Sequence, residues 1–198
     1  MYEYRKLTPE EQQELVRQRK AQGYPPHAPP HPIQDRDYYL LTAACYQHTH
    51  HMHSSQRRQE ILNRLFEIMI SAGVEIQAWV VLLNHYHLLA FVPDFGVLGD
   101  CFKGVHGPTA VTWNREDGVS GRKVWYRFAD RAIRSDAHYY TTLNYIHYNP
   151  VKHGWATSPY EWQESSVHWY LEHYGREWLR DSWRTYPVRD YGQGWDNL

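Results

Sequence analysis

The sequence has no long apolar run, no cysteine motif and no excess of charge of one sign. No stretch of about 18 apolar residues occurs among its 198 residues, so no membrane-spanning segment is expected. The first residues, MYEYRKLTPEEQQ, lack the apolar core of a signal peptide, which predicts a cytoplasmic protein. The two cysteines, Cys45 and Cys101, are far apart and have no CxxC partner. This excludes a disulfide framework and a zinc knuckle.

The net charge of −1 is unusual for a nucleic-acid-binding protein, which is normally basic. The basic residues are nevertheless concentrated in one segment. Residues 121–134 contain five arginines and lysines against the single acid Asp130, whereas residues 156–198 contain seven acids against four arginines. We therefore expect any DNA contact to involve this segment, with a solvated basic face as the alternative. The candidate phosphate-binding residues are Arg127, Arg131 and Arg134, with Lys103 in CFKG as a fourth.

Aromatic residues and histidines are abundant: 9 Trp, 17 Tyr and 14 His. Such side chains fill cores, and they also provide surfaces on which unpaired bases stack. For Trp125 and Tyr126, which lie within the basic segment, we favour packing over base stacking.

A polar N-terminal arm precedes the predicted domain. Thr8 and Glu11 have the spacing of a capping box, so we expect a helix from Thr8 that Gly23 ends. Five prolines in YPPHAPPHPIQ then predict an extended linker. The predicted division of the chain is an arm with linker at 1–36, a domain at 37–155 and a C-terminal wrapping tail at 156–198.

Hydrophobic periodicity predicts the elements of the domain. Strands are expected in YYLLTAACY, in 74–83, in 85–92 and in VWYRFADRAI, with Asn84 at the turn between the second and third. Helices are expected from Ser54 or Ser55 to Gly73, over 97–115, and from Ser135 or Asp136 to Asn149, because Pro150 follows. A short helix is expected at 166–180 in the tail. The order β-α-β-β-α-β-α indicates an α+β sandwich with a mostly antiparallel sheet.

Two histidines in the third predicted strand have the spacing of metal ligands. His85 and His87 are two residues apart, so their side chains leave the same face of a strand. Imidazole is a common metal ligand, although two half-buried structural histidines would show the same spacing. A competing pair, His51 and His53, lies in HTHHMH beside a helix start, and we expect it to be a solvated loop.

A tyrosine and an asparagine in the helix ending YIHYNP complete the pattern. Tyr145 and Asn149 are four residues apart and therefore share one helix face. Tyr145 could present its hydroxyl to a phosphate while Asn149 supplies an oxygen to a metal. Periodicity alone does not distinguish Tyr145 from Tyr139, Tyr140 or Tyr148.

The combination of motifs resembles a known family. WVVLLNHYHLLAFVP, followed about sixty residues later by RAIRSDAHYYTTLNYIHYNPVKHGW, is similar to the REP-associated tyrosine transposases. These belong to the HUH single-tyrosine transposases, akin to the insertion-sequence two-hundred group. The resemblance implies that His85 and His87 bind a divalent cation, Mg²⁺ or Mn²⁺, with Asn149 as the remaining protein ligand. It also implies that Tyr145 is the nucleophile.

The resemblance further implies a ferredoxin-like HUH nuclease fold, with four or five strands sandwiched by helices. It implies a metal-dependent endonuclease and strand transferase that acts on single-stranded or hairpin DNA through a 5′-phosphotyrosine intermediate. A monomer is expected, with a dimer as the alternative. Two other functions remain open: a domesticated hairpin-binding protein that does not cleave, and a metal-dependent hydrolase that forms no covalent intermediate.

Overall fold

The computed structural model describes residues 37–193, together with Thr8, Glu10, Glu11, Glu14, Arg17 and Trp195. The chain divides into two compact units, Met1–Asp35 and Arg36–Leu198. In the first unit the backbone N–H of Thr8 donates to the Glu11 carboxylate at 2.7 Å, and the N–H of Glu11 donates to the Thr8 hydroxyl at 3.3 Å. These reciprocal bonds form the expected capping box. Gly23 and the proline-rich linker lie outside the described residues.

The second unit contains a four-stranded sheet and four longer helices among its described residues. In chain order they are β1 Tyr38–Ala44, α1 Ser55–Ser71, β2 Glu75–Val81, β3 His85–Phe91, α2 Leu98–Glu116, β4 Ala129–Ala132, α3 Asp136–Lys152 and α4 Val167–Thr185. Two of the helices begin at the predicted caps. The Ser54 hydroxyl accepts from the N–H of Arg57, and the Ser135 hydroxyl accepts from the N–H of His138. Over these described residues, no helix combines the length and the apolar composition that a membrane span needs.

The sheet has the strand order β2-β3-β1-β4, and every neighbouring pair is antiparallel. The predicted α+β class with a mostly antiparallel sheet is therefore confirmed. In the pairing of β1 with β3, Thr42 lies opposite His87 and Ala44 lies opposite His85. This register places both histidines at one end of the sheet, in its interior.

Alternation along the strands separates two apolar cores, one on each face of the sheet. Leu41, Tyr86 and Leu88 pack with residues of α1 and α2. Leu40 and Leu89 point the opposite way and pack with residues of α3 and α4. The tail after residue 156 thus supplies part of the second core, and the sheet is covered by helices on both faces.

Three elements differ most from their predicted boundaries. Helix α3 does not end at Asn149: Pro150 is buried inside it, and the chain stays helical to Lys152. A proline removes a single N–H donor, and the N–H of His153 still donates to the Asn149 carbonyl at 3.1 Å. Strand β4 is shorter than VWYRFADRAI, because pairing is interrupted after an isolated bridge at Trp125. Helix α4 extends to Thr185 rather than stopping at 180.

The core between the sheet and helices α1 and α2 contains a hydrogen-bonded pair of polar side chains, Tyr86 and His106. The Tyr86 hydroxyl lies 2.7 Å from His106 Nε2, and the His106 ring stacks on Trp125 at a centroid distance of 4.3 Å and an interplanar angle of 12°. Burial lowers the pKa of His106 to about 4. Trp125 itself is only 7% exposed, so it packs in the core, as expected.

We predict that His106 makes the fold sensitive to acid. Its pKa is below the unfolded value of about 6.5, so the unfolded chain binds a proton first as the pH falls. The contribution of neutral His106 to the free energy of unfolding is therefore complete above about pH 6.5 and is lost as the pH falls toward 4. Between pH 7 and pH 5 this amounts to about 2 kcal/mol of unfolding free energy. Urea unfolding at both pH values should show a smaller decrease for His106→Gln than for the unmodified chain; equal decreases would contradict the prediction.

Candidate active site

Two histidines of β3 point away from Tyr86, toward α3. His85 is 2% exposed and His87 is fully buried, and their ring centroids are 5.0 Å apart. Strand alternation produces this arrangement, as the sequence predicted. A sheet interior holds the two rings at a fixed separation, because the strand is hydrogen-bonded along both edges.

Hydrogen bonds to Nδ1 of each ring set the position of its Nε2 atom. The Asn84 amide nitrogen donates to the His48 carbonyl at 3.0 Å, so the amide oxygen accepts a hydrogen bond from His85 Nδ1–H at 2.7 Å. His85 Nε2 then carries a lone pair. His87 Nδ1 lies 2.7 Å from the hydroxyl of Thr42, its cross-strand partner. Bonds of this kind orient imidazole ligands in metal sites.

Helix α3 brings a tyrosine and an asparagine against these rings. Tyr145 and Asn149 are both fully buried, one helical turn apart. The Tyr145 hydroxyl lies 3.4 Å from His87 Nε2, and Asn149 Oδ1 lies 3.2 Å from His85 Nε2. The structure therefore brings together the four side chains selected in the sequence.

The donor set fits a divalent cation. His85 Nε2 and Asn149 Oδ1 are both acceptors, and two acceptors facing each other at 3.2 Å are accommodated by a cation between them. The Asn149 Nδ2 atom is buried and has no hydrogen-bond partner, which leaves the amide without another role. Two imidazoles with one amide oxygen form a mixed set. No group of three or more His, Cys, Asp or Glu side chains arranged for a metal occurs in the part of the chain that the structure describes.

A further histidine lies at the edge of the site. His153, the residue that follows α3, lies four positions after Asn149, and its ring centroid is 4.9 Å from that of His85. It stacks on Trp155 at 4.8 Å and 20°. Sequence reasoning did not select His153 or Asn84, although the four-residue spacing from Asn149 could have indicated the first.

The C-terminal segment after α4 covers Tyr145, and we call residues 188–193 together with Trp195 the cover segment. Gly192 has a φ of 80° and lies directly on the phenol: a Cβ added there would overlap Tyr145 Cε2 and lie 3.0 Å from the hydroxyl. Lys152 Nζ donates to the Gly192 carbonyl at 3.0 Å and lies 5.0 Å from the centroid of the Tyr145 ring. The Tyr191 hydroxyl is 2.8 Å from His138 Nε2. These contacts make Tyr145 inaccessible to solvent.

The four predicted DNA-binding residues occupy different places. Arg131 lies on β4 beside the site, with its guanidinium 3.7 Å from the centroid of the Trp195 ring. Arg127 and Arg134 are exposed before and after β4. Lys103 is exposed on α2, which packs on the opposite face of the sheet. Of the four, the structure places Arg131 against the cover segment.

The histidine-rich loop differs from its prediction. His51 is 5% exposed and is not a solvated residue, and burial lowers its pKa. His53 is exposed, and its Nδ1 lies 3.2 Å from the His50 carbonyl. The local sequence did not indicate that His51 is buried. The burial depends on a distant contact, because the loop folds back and the backbone N–H of Met52 donates to the Leu83 carbonyl.

Comparison with known proteins identifies the family. No family model matches the chain. A REP-associated tyrosine transposase of Escherichia coli is 30% identical over 121 residues, which are 57% of this chain and 70% of that protein. The chain belongs to the REP-associated tyrosine transposase family. A shorter match, 41% identical over 54 residues, covers 27% of this chain and 28% of a relative from Haemophilus influenzae.

A solved structure, described as a REP-associated tyrosine transposase bound to a REP hairpin, shares the fold. Its TM-score is 0.59 at 22% sequence identity, and the match covers 75% of this chain and 88% of that one. The resemblance and the α+β fold expected from the motifs are both confirmed.

We predict that Gly192→Ala lifts the cover segment from Tyr145. The added methyl group would overlap the phenol, and the left-handed φ disfavours any side chain. Hydrogen exchange measured by mass spectrometry should accelerate in residues 188–193 and remain unchanged in β1 and β3.

Gly121→Ala is the matched control. Gly121 has a φ of 72°, but a Cβ there would meet no atom within 4 Å. It therefore reproduces the backbone strain without the contact. Unchanged exchange of residues 188–193 in Gly192→Ala would show that the phenol contact does not hold the segment.

Proposed function

We propose that this member of the family cuts and rejoins single-stranded DNA near a hairpin, with Tyr145 as the nucleophile and a divalent cation held by His85, His87 and Asn149. The observation that supports this most directly is the convergence of the Tyr145 hydroxyl and the Asn149 oxygen on the Nε2 atoms of His87 and His85.

The cation would be Mg²⁺ or Mn²⁺, as the family resemblance implies, and the amide oxygen of Asn149 suits both metals. When bound, it would polarise the scissile phosphate and stabilise charge on the leaving oxygen. The residues of the chain supply the geometry: Asn84 and Thr42 hold the histidine rings, and α3 holds Asn149 at a fixed height above them.

The covalent step would exchange one phosphoester for another. The Tyr145 oxygen loses its proton and attacks phosphorus, forming a P–O bond to the phenol while the bond to the 3′ oxygen breaks. The 3′ oxygen leaves as a hydroxyl, and a 5′-phosphotyrosine remains. The ester is retained, so a second 3′-hydroxyl can reverse the step and join two strands. The Lys152 ammonium near the phenol ring stabilises negative charge that develops on the oxygen.

Both the family relationship and the surface charge support DNA as the ligand. The hairpin is the ligand of the related solved structure, and Arg131, Arg127 and Arg134 supply positive charge around β4. Lys103, on the opposite face, would contact only a DNA molecule that wraps around the sheet edge. Because Gly192 lies on the phenol, a phosphate reaches Tyr145 only after the cover segment moves.

We predict a covalent adduct that depends on Tyr145. Labelled single-stranded DNA carrying a REP hairpin and its flanks, incubated with the protein and Mn²⁺, should give a labelled protein band on a denaturing gel. Tyr145→Phe should abolish it, because phenylalanine has no oxygen nucleophile. Tyr148→Phe is the matched control: Tyr148 lies on the same helix, is 44% exposed, and should leave the adduct unchanged.

Other outcomes would favour the other functions. Cleavage without an adduct would indicate a metal-dependent hydrolase. Hairpin binding with neither cleavage nor adduct, in a variant that lacks the cover segment as well as in the full chain, would indicate a DNA-binding protein.

We also predict that Asn84 controls metal affinity. Asn84→Ala removes the acceptor that fixes the His85 ring, and the loss of such a partner weakens metal binding about 10- to 100-fold. Titration calorimetry with Mn²⁺ would measure the effect. Asn84→Asp keeps an acceptor and should retain most of the affinity, whereas Asn63→Ala, on the exposed face of α1, should have no effect. Equal affinities in the Ala and Asp variants would argue against His85 as a ligand.

A further inference from the structure

The loop after β1 has an unusual backbone. Gln47 and His48 have φ values of 54° and 51°, a conformation that residues other than glycine rarely adopt. The loop is held by two backbone bonds to the segment before β4: the N–H of Tyr46 donates to Val124 O at 2.7 Å, and the N–H of Tyr126 donates to Ala44 O at 2.9 Å. Strained conformations of this kind occur preferentially at binding and catalytic sites.

The strained loop presents aromatic rings at the surface. Tyr46 and Tyr126 have ring centroids 4.9 Å apart, and the His48 ring lies 6.2 Å from Tyr126. The Lys123 ammonium lies over both tyrosines, 4.6 Å from the centroid of Tyr46 and 5.6 Å from that of Tyr126. All three rings are partly exposed and Lys123 is exposed. We call these four residues the Tyr126 platform.

Arg122 and Lys123, two adjacent cations in the segment before β4, make different contacts. The Arg122 guanidinium binds the Asp117 carboxylate at 2.6 Å and the Asn114 side chain at 2.9 Å. Lys123 forms no ion pair within the described part of the chain, and its contacts are to aromatic rings. An exposed ammonium on a flexible stem can leave a ring for a phosphate at little cost, because both positions remain solvated.

The platform adjoins the candidate active site. The His48 carbonyl accepts from the same Asn84 amide whose oxygen orients His85, so one side chain links the loop to the proposed metal ligand. The same loop continues to His50, whose ring packs against Trp155 at 5.8 Å, and Trp155 in turn contacts His85 at 6.2 Å. Ring contacts therefore lead from His50, two residues after His48 of the platform, through Trp155 to His85.

We propose that the Tyr126 platform binds an unpaired base of the DNA strand, stacked on Tyr126, while the Lys123 ammonium moves to an adjacent phosphate. This inference rests on the proposed function, since it assumes a single-stranded DNA ligand. Bases of any identity stack on an aromatic ring, so the platform contributes affinity with little sequence preference. Its place beside Asn84 makes it a subsite that positions the strand relative to the cation.

The experiment measures binding of fluorescein-labelled dT12 and of a 12-base-pair duplex by fluorescence anisotropy. Tyr126→Leu removes the ring and should weaken dT12 binding roughly 10-fold or more while leaving duplex binding unchanged. Tyr126→Phe keeps the ring and should bind dT12 like the unmodified chain. Lys123→Gln should reduce the slope of log Kd against log salt by about one.

Controls separate stacking from folding. Tyr174→Leu removes an exposed tyrosine of α4, 53% exposed and stacked on Trp178, and should not alter dT12 binding. A 2-aminopurine placed in the oligonucleotide should be quenched on binding to the unmodified chain and not to Tyr126→Leu. Wild-type affinity of Tyr126→Leu for dT12, or no binding of dT12 by the unmodified chain, would overturn the platform. If the Tyr145 adduct still forms in either case, the proposed function survives without it.

Discussion

Because β3 is paired along both edges, with β1 on one side and β2 on the other, its register cannot shift without turning every side chain to the wrong face. A slip of one residue would bury His85 and His87 among the apolar residues of α1 and α2 and would bring Tyr86 to the α3 face. The two cores on opposite faces of the sheet oppose such a slip. The geometry of the candidate site is therefore fixed by the same packing that stabilises the sheet.

Local rules predicted the parts of the molecule whose determinants are close together in the sequence. Alternation placed His85 and His87 on one face, and the helical repeat placed Tyr145 and Asn149 on one face. Capping chemistry located the starts of α1 and α3. In both helices a serine hydroxyl accepts a hydrogen bond from the backbone N–H three residues further along the chain. Which tyrosine faces the histidines was not determined by spacing; the family resemblance selected Tyr145, and the structure places it there.

Features that depend on distant segments could not be predicted in this way. Asn84 was interpreted as a turn residue, but its amide connects His48 to His85. Pro150 indicated a helix end, yet it is buried and the chain stays helical to Lys152, so burial of the proline compensates for one missing hydrogen bond. The contact of Gly192 with Tyr145 joins residues 47 positions apart, and no periodicity connects them. Each case is a tertiary contact that overrides a local preference.

The net charge of −1 is compatible with the proposed DNA ligand, because individual cations lie near the candidate site. Two cations of this region are already engaged: Arg131 stacks on Trp195, and Lys152 donates to the Gly192 carbonyl. Both partners belong to the cover segment, and both contacts use the groups that a phosphate approaching Tyr145 would bind. In the proposed function, a DNA strand at the phenol would compete with the cover segment for the same two side chains. A phosphate binds a guanidinium or an ammonium more strongly than a carbonyl or a ring does, so the exchange would favour DNA once the segment had moved. The cost of moving Gly192 would oppose this binding, and two cations at the site would contribute more to it than a high net charge elsewhere.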